Sequence, residues 1–290
     1  MDKEISSSLA HLRISFSVLL MPVFLLSLAL NHGIYTLNTL KLFLALHLFV
    51  YPGSNGINSY YDRDKHSIGG LDNPPPIAPS LYYLAHGFSL AGILLAYSIQ
   101  PKIGLLVTLY VLISTMYSHY KIRFKADTLL ALTSVALFQG GAIFMAGLLL
   151  GNKTVAPLPF ALFQSFAVLS ILASYPLTQL AQKVEDAERG DKTLIHHLSL
   201  PAIAKFILIF QGLSAISIFL ACQAVNQIEL LLFMVPALLV IGLYTQLKVI
   251  VPMLSNKMPH ANNLKFSTRL SAYGLNISLI AYLLFQYSKG

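Results

Sequence analysis

Residues 58–76 read NSYYDRDKHSIGGLDNPPP, and the rest of the chain is best interpreted outward from this stretch. It follows an apolar run and carries three of the eleven acidic residues in the chain. Asn58, Asp62 and His66 recur at every fourth position, so a helix would align them along one side. A carboxylate beside the end of an apolar helix is costly unless a cation pairs with it, which makes the stretch a candidate functional site. A solvated loop with helix-ending polar residues is the plainer alternative.

The surrounding sequence is that of an integral membrane protein. Of its 290 residues, 56% are hydrophobic and 10% are charged, and roughly 20 apolar residues suffice for one membrane-spanning helix. Nine runs of this kind lie at about 12–31, 36–57, 80–100, 102–120, 127–150, 157–180, 201–223, 227–249 and 268–287. The connections between them are short, so we predict a single all-α, nine-helix transmembrane domain over residues 1–290. The N-terminal MDKEISSS is acidic and lacks a cleavage-site pattern, so no removable signal peptide is predicted.

Basic residues are unevenly divided between the two sides that nine spans would create. With the N-terminus in the cytoplasm, fifteen of the 19 Lys and Arg residues fall on the cytoplasmic side. The four on the opposite side are Lys41, Lys102, Lys153 and Lys289. The positive-inside rule therefore places the N-terminus and the acidic motifs on the cytoplasmic side. Because the acids gather there too, Glu229 excepted, we predict a site for a charged ligand and its counter-ion, and no nucleic-acid partner.

A second polar motif follows the sixth apolar run, within SYPLTQLAQKVEDAERGDKTL at residues 174–194. One stripe of a helix would carry Tyr175, Gln179, Gln182 and Asp186. Glu185 borders that stripe, and Gly190 is expected to end the helix. Both acidic motifs therefore end even-numbered spans that lie four spans apart. Segments 1–4 and 5–8 would then form a parallel structural repeat, with both motifs facing a common cavity.

A basic stretch, TMYSHYKIRFKADT, ends the fourth span. Tyr117 and Lys121 lie one helical turn apart, which would aim both groups into a cleft. Arg123 and Lys125 extend this basic edge, and ordinary loop charge is the preferred interpretation of both.

Acidic and polar clusters beside Lys and Arg suit a divalent metal and a phosphorylated ligand. Magnesium prefers oxygen ligands and typically links one or two carboxylates to phosphate oxygens. The apolar spans would supply a tunnel for the remainder of the ligand, so a polyprenyl diphosphate has the expected shape. The metal would neutralise the diphosphate leaving group, and aromatic faces would stabilise the allylic cation. The candidate aromatic residues are Tyr60, Tyr61, Tyr117, Tyr120 and Tyr175.

These features resemble the UbiA superfamily of intramembrane prenyltransferases. Its members have nine transmembrane helices and two aspartate-rich motifs, at the ends of helices 2 and 6, that bind Mg²⁺ and a prenyl diphosphate. The first family motif runs N-x-x-x-D-x-x-x-D, and Asn58 and Asp62 match it, with His66 at the third position. The family's Y-x-x-x-K feature after helix 4 is present as Tyr117 and Lys121.

The second family motif runs D-x-x-x-D-x-x-x-G-x-x-T. Asp186, Gly190 and Thr193 match it, whereas Gln182 stands in place of the first aspartate. His66 and Gln182 thus each replace a family carboxylate, and nearby acids would have to compensate for the lost charge.

The resemblance implies a Mg²⁺-dependent transfer of a polyprenyl group from a prenyl diphosphate to an aromatic or lipid acceptor, through an allylic carbocation. The predicted metal ligands are Asp62 and Asp186, which match the family motifs, with Asp64 and Glu185 as shifted ligands in place of the two missing carboxylates. The implied catalytic residues are Asp62, Asp186, Lys121 and Tyr117. The implied substrate-binding residues are Asn58, Asp64, His66, Gln179, Gln182, Glu185, Arg123 and Lys192.

Two other functions stay open. A non-catalytic prenyl-lipid binder or carrier on the same scaffold is supported by the two substituted carboxylates, and release of diphosphate from a prenyl donor would discriminate it from an enzyme. An ion-coupled transporter would need ionisable residues near the bilayer midplane, whereas these acids gather at one face. The acceptor is not specified by the sequence.

Overall fold

The computed structural model describes residues 2–31, 36–64, 66–151 and 155–289. Within these ranges the protein consists of helices and connecting loops, with two isolated β-bridges and no named strand. The all-α prediction is therefore confirmed. Lys65 and Lys153, which were counted in the predicted charge asymmetry, lie outside the described residues.

Fifteen α-helices are present in the described ranges. They are α1 (Asp2–Leu12), α2 (Met21–Leu30), α3 (Leu37–Leu44), α4 (Tyr51–Asp62), α5 (Ser80–Tyr97), α6 (Pro101–Ser118), α7 (Thr128–Ser134), α8 (Ile143–Leu148), α9 (Pro157–Ala181), α10 (Lys183–Glu188), α11 (Leu194–His197), α12 (Leu200–Ala224), α13 (Ile228–Thr245), α14 (Val251–Leu254) and α15 (Ala261–Lys289). Two 3₁₀ segments (Ile14–Leu20 and Phe124–Ala126) and three π-helical segments (Ala45–Val50, Val135–Ala142 and Gln246–Ile250) connect some of them.

Seven helical stretches in the described residues are long and apolar enough to cross a membrane. They are Lys3–Leu30, Ser80–Tyr97, Pro101–Ser118, Thr128–Leu148, Pro157–Ala181, Leu200–Ala224 and Ile228–Leu254. The chain is thus an integral membrane protein, as predicted. The second and ninth predicted spans are absent from this group because polar residues interrupt their apolar runs along most of their length.

Successive long helices pack side by side, and the last one returns to the first. The closest pairings are α9 with α12, α13 with α15, and α4 with α5, and α15 also contacts α2. Large apolar side chains such as Leu232, Leu239 and Ile277 are 67–69% exposed on the outside. Apolar exposure on this scale is costly in water and is the normal condition of a helix in lipid.

Glycine lets the helix that carries the first motif approach its neighbour. A Cβ atom on Gly53 would lie 2.8 Å from the carbonyl oxygen of Ala85, and one on Gly92 would lie 2.9 Å from that of Ala45. Because glycine has no Cβ atom, α4 and the preceding π-helical segment pack directly against α5. The close packing fixes the direction in which α4 presents Asn58 and Asp62 at its end.

Candidate functional site

A cavity of about 340 Å³ opens where the helices carrying the two motifs end. Its polar mouth is lined by Asn58, Asp62, Lys125, Gln182, Asp186, Arg189 and Asp191. Its deeper walls carry Tyr51, Tyr110 and Phe138, whereas Phe16 packs beside the loop at Gly69 and Gly70. Tyr51 in the deeper wall precedes Asp62 at the mouth by eleven residues on α4, so the two residues lie roughly 16 Å apart along the helix. The cavity therefore joins a charged mouth to an aromatic interior.

The first motif is positioned by the end of α4. The helix stops at Asp62 because Arg63 adopts a left-handed backbone conformation, with φ of 53°. The Asp62 carboxylate, 4% exposed, accepts a 2.8 Å hydrogen bond from the Asn58 amide and pairs with the Lys125 ammonium. The prediction that His66 shares the face of Asn58 and Asp62 is wrong, since the helix ends before it. His66 is exposed, and its backbone N–H donates to Glu185 at 3.0 Å.

The second motif spans a helix break. The long helix α9 ends at Ala181, and the short helix α10 begins at Lys183. The four predicted residues Tyr175, Gln179, Gln182 and Asp186 all line the cavity, although the break means that they do not share one continuous helix. Gly190, with φ of 76°, follows the end of α10, as its place in the sequence predicted.

One guanidinium group connects the two motifs. Arg189 pairs with Asp64 of the first motif, donates to Asp186 at 2.6 Å, and lies 3.3 Å from Asp191. Arg123 binds the same Asp191 carboxylate through two hydrogen bonds of 2.7 and 2.9 Å. The acidic residues at the mouth are therefore paired with cationic side chains of this chain.

Burial changes the ionisation of the carboxylates at the mouth. It raises the pKa of Asp186 to about 6, against the opposing effect of Arg189. It also raises the pKa of Asp64 and of Glu185, each further increased by a neighbouring aspartate. Burial alone would raise the pKa of Asp191 as well, but the hydrogen bonds from Arg123 and the charges of Lys125, Arg123 and Arg189 together outweigh it, and the net shift is downward.

The basic stretch after α6 is arranged differently from the prediction. Because α6 ends at Ser118, Lys121 is not one helical turn beyond Tyr117, and its exposed ammonium lies 5.6 Å from the Tyr120 ring. The expectation that both Tyr117 and Lys121 point into the cleft is therefore wrong for Lys121. Tyr117 does line the cavity, where its hydroxyl is 2.5 Å from that of Tyr175.

Lys125 occupies the place in the cavity that was predicted for Lys121. Its side chain is 8% exposed and contacts Asp62 directly. Interpreting Lys125 as ordinary loop charge was therefore wrong. Arg123 is engaged by Asp191 beside the cavity, and Lys192 is exposed and does not line it.

Sequence reasoning did not single out Lys125, Arg189 or Asp191 as site residues. Arg189 and Asp191 flank the motif glycine, so their position in the motif was the available signal. The partner of Arg189 in the first motif, Asp64, lies 125 residues away in the chain, and such a pairing has no local pattern.

The predicted metal ligands gather around cationic side chains rather than around a common metal position. Carboxylate oxygens are suitable ligands for magnesium, but among the described residues no three His, Cys, Asp or Glu side chains converge closely enough to hold a metal ion. Asp62 pairs with Lys125, Asp64 and Asp186 pair with Arg189, and Glu185 accepts from a backbone N–H. As arranged, these residues do not fit a preformed magnesium site.

Comparison with known proteins gives a consistent result. Residues 19–261 match the sequence model of the UbiA prenyltransferase family. The structure of a UbiA homolog from Archaeoglobus fulgidus bound to GPP and Mg²⁺ superposes with a TM-score of 0.73 at 19% identity, covering 96% of this chain and 99% of that chain. The same homolog bound to DMAPP and Mg²⁺ gives a TM-score of 0.74 at 19% identity, with the same coverage.

A structure described as concerning digeranylgeranylglyceryl phosphate synthase in membranes gives a TM-score of 0.67 at 16% identity, covering 97% and 98% of the two chains. Identities this low show a shared fold. A search among curated proteins found no match to the sequence.

Proposed function

Since the chain belongs to the UbiA prenyltransferase family, we propose that it transfers a prenyl group from a prenyl diphosphate to an acceptor within the membrane. The observation that carries this proposal is a cavity that joins a cationic and acidic mouth to an aromatic interior. An amphiphilic donor fits such a cavity with its diphosphate at the mouth and its chain along the tunnel. Homologs of the same fold are described as bound to GPP and DMAPP.

The reaction would begin with departure of the diphosphate. The bond between C1 of the prenyl chain and the diphosphate oxygen breaks, the electron pair leaves with the diphosphate, and an allylic cation remains. Lys125 and Arg189 line the mouth, where their N–H groups would stabilise the growing negative charge. The acceptor nucleophile then bonds to C1 and loses a proton.

The interior would protect the cation until the acceptor attacks it. Tyr51, Tyr110, Tyr117, Phe138 and Tyr175 present aromatic rings to the cavity. Aromatic faces stabilise a cation within about 6 Å by their quadrupole, and exclusion of water prevents hydrolysis of the intermediate. This role extends the predicted contribution of Tyr117 and Tyr175 to residues deeper in the tunnel.

Magnesium stays a prediction from the sequence. Mg²⁺ is present with prenyl diphosphate in the solved Archaeoglobus structures, and Asp62 and Asp186 are the cavity-lining members of the ligand set predicted for this chain. No step of the proposed reaction is assigned to a metal, because both carboxylates are paired with cationic side chains.

The proposal includes nine membrane crossings in a ring, with the N-terminus and the mouth of the cavity on the cytoplasmic side. The two crossings beyond the seven apolar stretches are residues 37–62 and α15. The 29 residues of α15 would extend about 43 Å, which exceeds the roughly 30 Å hydrocarbon core. The four-span parallel repeat and the single-domain organisation over residues 1–290 belong to the same proposal.

A non-catalytic prenyl-lipid binder is the second candidate function. The replacement of two family carboxylates by His66 and Gln182, together with the ion pairs that engage the remaining acids, favours it. Such a protein would bind the prenyl diphosphate without breaking its C1–O bond.

The discriminating experiment measures diphosphate release. The full chain would be placed in lipid nanodiscs with radiolabelled prenyl diphosphates of increasing chain length, and with a panel of aromatic and glycerolipid acceptors. Diphosphate release that is lost in Lys125→Gln supports the enzyme. Binding of the donor without release supports the binder, and absence of donor binding contradicts both functions.

A further inference from the structure

The contacts of Arg189 indicate how the diphosphate of the proposed donor is bound. Arg189 lies after α10, lines the cavity and reaches three carboxylates at once. Asp64 belongs to the first motif, whereas Asp186 and Asp191 belong to the second. The guanidinium therefore lies between the two acidic motifs, where a shared cation would be needed to keep their negative charges together.

We propose that Arg189 takes the place of a divalent cation between the two motifs, so that the site binds the diphosphate of its donor without requiring a metal ion. This inference rests on the proposed function, because it concerns the same cavity and the same donor. It also accounts for the absence, among the described residues, of a converging set of metal ligands.

The charges at the mouth support the proposal that the Arg189 side chain replaces a divalent metal ion. Three aspartates line the mouth, at positions 62, 186 and 191, and Asp64 lies beside it; their side chains are at most 9% exposed. Left alone, four buried carboxylates would repel one another and would attract any available cation. Lys125, Arg123 and Arg189 together supply three positive charges through direct contacts, so one net negative charge remains.

The same cations keep donors available for a diphosphate. A guanidinium has five N–H groups in a planar fork, and the three ion pairs of Arg189 use one at each of its nitrogens. Two N–H groups are left over. Lys125 has three N–H groups, and its ion pair with Asp62 uses one of them. Both side chains line the cavity, so charge-assisted hydrogen bonds to phosphate oxygens would form without breaking the existing pairs.

The substituted motif positions agree with this arrangement. Position 182 is Gln, a neutral residue that lines the cavity one helical turn before Asp186. A carboxylate at that position would add a negative charge beside Asp186 and would favour binding of a further cation. With Gln182 the number of carboxylates is close to the number of cationic side chains that the chain itself supplies.

The test compares donor binding with and without metal. Radiolabelled geranyl diphosphate would be titrated onto the full chain in nanodiscs, once with EDTA and once with excess MgCl₂, using the wild type, Arg189→Gln and Lys183→Gln. Lys183 is exposed on the same short helix, lies outside the cavity, and undergoes the same change of charge. Binding of Mn²⁺ in the absence of donor would be measured by electron paramagnetic resonance.

We expect the wild-type Kd in EDTA to lie within about threefold of its value in MgCl₂. Arg189→Gln should weaken binding in EDTA by about tenfold or more, because the bridging charge is lost, and MgCl₂ should restore it. The same variant should bind Mn²⁺ more tightly than the wild type, since Asp64 and Asp186 are no longer paired and Asp191 keeps only Arg123. Lys183→Gln should behave as the wild type throughout.

Wild-type binding that requires MgCl₂ would overturn the metal-free site while leaving the proposed prenyltransferase intact, and this measurement does not depend on any variant folding. Unchanged binding by Arg189→Gln in EDTA would overturn it as well. Failure to bind geranyl diphosphate in either condition would contradict both the inference and the proposed function.

Discussion

Asp62 ends a regular helix, whereas Asp186 lies on a short helix after a break, yet both carboxylates line the same cavity. The first is fixed by Asn58, one turn earlier on its own helix, and by Lys125. The second is held by Arg189, which it shares with two other acids. The position of Asp62 is thus set mainly by its helix, whereas the position of Asp186 is set mainly by its ion pair. Changes of charge and of pH should therefore affect the two motifs unequally.

The largest effect is expected from Lys125→Gln. Lys125 supports the first motif and is the buried ammonium at the mouth, so its loss should lower kcat for diphosphate release about 100- to 1,000-fold, the range seen when one stabilising donor is removed. Lys121→Gln is the matched control, since Lys121 is exposed outside the cavity. Equal losses in the two variants would mean that the mouth is placed incorrectly.

The next comparison is between the two aspartates themselves. Asp62→Asn should lower kcat/KM about 10- to 100-fold, because Lys125 loses the charge that positions it. Asp186→Asn should cost less, roughly 2- to 10-fold, because Arg189 keeps Asp64 and Asp191. Steady-state assays of the two variants in parallel would measure the difference, and the reverse order would contradict the distinction between a helix-held and a shared carboxylate.

The second motif should also respond to pH. The folded-state pKa of Asp186 is raised to about 6 by burial, so the folded chain keeps this proton at a pH where the unfolded chain has lost it. The resulting stabilisation is present at low pH and is lost as the pH rises from about 4 to 6. Relative to Asp186→Asn, the wild type should gain about 1–2 kcal/mol between pH 7 and pH 4.

Thermal unfolding in nanodiscs, followed by far-UV circular dichroism at both pH values, would measure this gain. Lys183→Gln should track the wild type at both. If the difference in stability between the wild type and Asp186→Asn does not change with pH, Asp186 is not the titrating group.

The smallest effect is expected from His66→Asp, which restores the family residue at the third position of the first motif. Because α4 ends at Asp62, the new carboxylate would be exposed rather than aligned with Asn58 and Asp62. Activity should change by no more than about twofold, as for an ordinary surface substitution. A tenfold rise in activity or in Mg²⁺ affinity would show that position 66 reaches the site.

Much of the fold follows from the sequence because membrane helices leave strong local signals. Long apolar runs predicted the all-helical membrane class, and residue spacing grouped Gln179, Gln182 and Asp186, which all line the cavity. Spacing misplaced Lys121 and His66 because it assumes a continuous helix. The helix ends at Ser118 and Asp62 depend on the backbone of the residues that follow, including the left-handed Arg63.

The ion pairs of the site could not be read from spacing at all. Lys125 and Asp62 are 63 residues apart, and Arg189 and Asp64 are 125 residues apart. Such pairs depend on how the ends of α4, α6 and α9 converge in space. Charge alone marked these residues as cytoplasmic loop residues, which is the typical role of Lys and Arg in membrane proteins.

The π-helical segment Ala45–Val50, immediately before α4, affects which deletions the chain can tolerate. A π-helical turn contains about one residue more than an α-helical turn. Each residue of an α-helix corresponds to a rotation of about 100°. Deleting a single residue from the π-helical segment would let it relax to an α-helix, and because the wider turn already holds the extra residue, Asn58 and Asp62 would keep nearly the same direction. Deleting a residue from the regular helix α4 before Asn58 would instead rotate both side chains by about 100°, away from the cavity. Substitutions in the π-helical segment keep its length and therefore keep both side chains directed toward the cavity. The π-helical segment is therefore where the chain before the first motif can lose a residue, whereas the length of α4 itself sets the direction in which the motif faces.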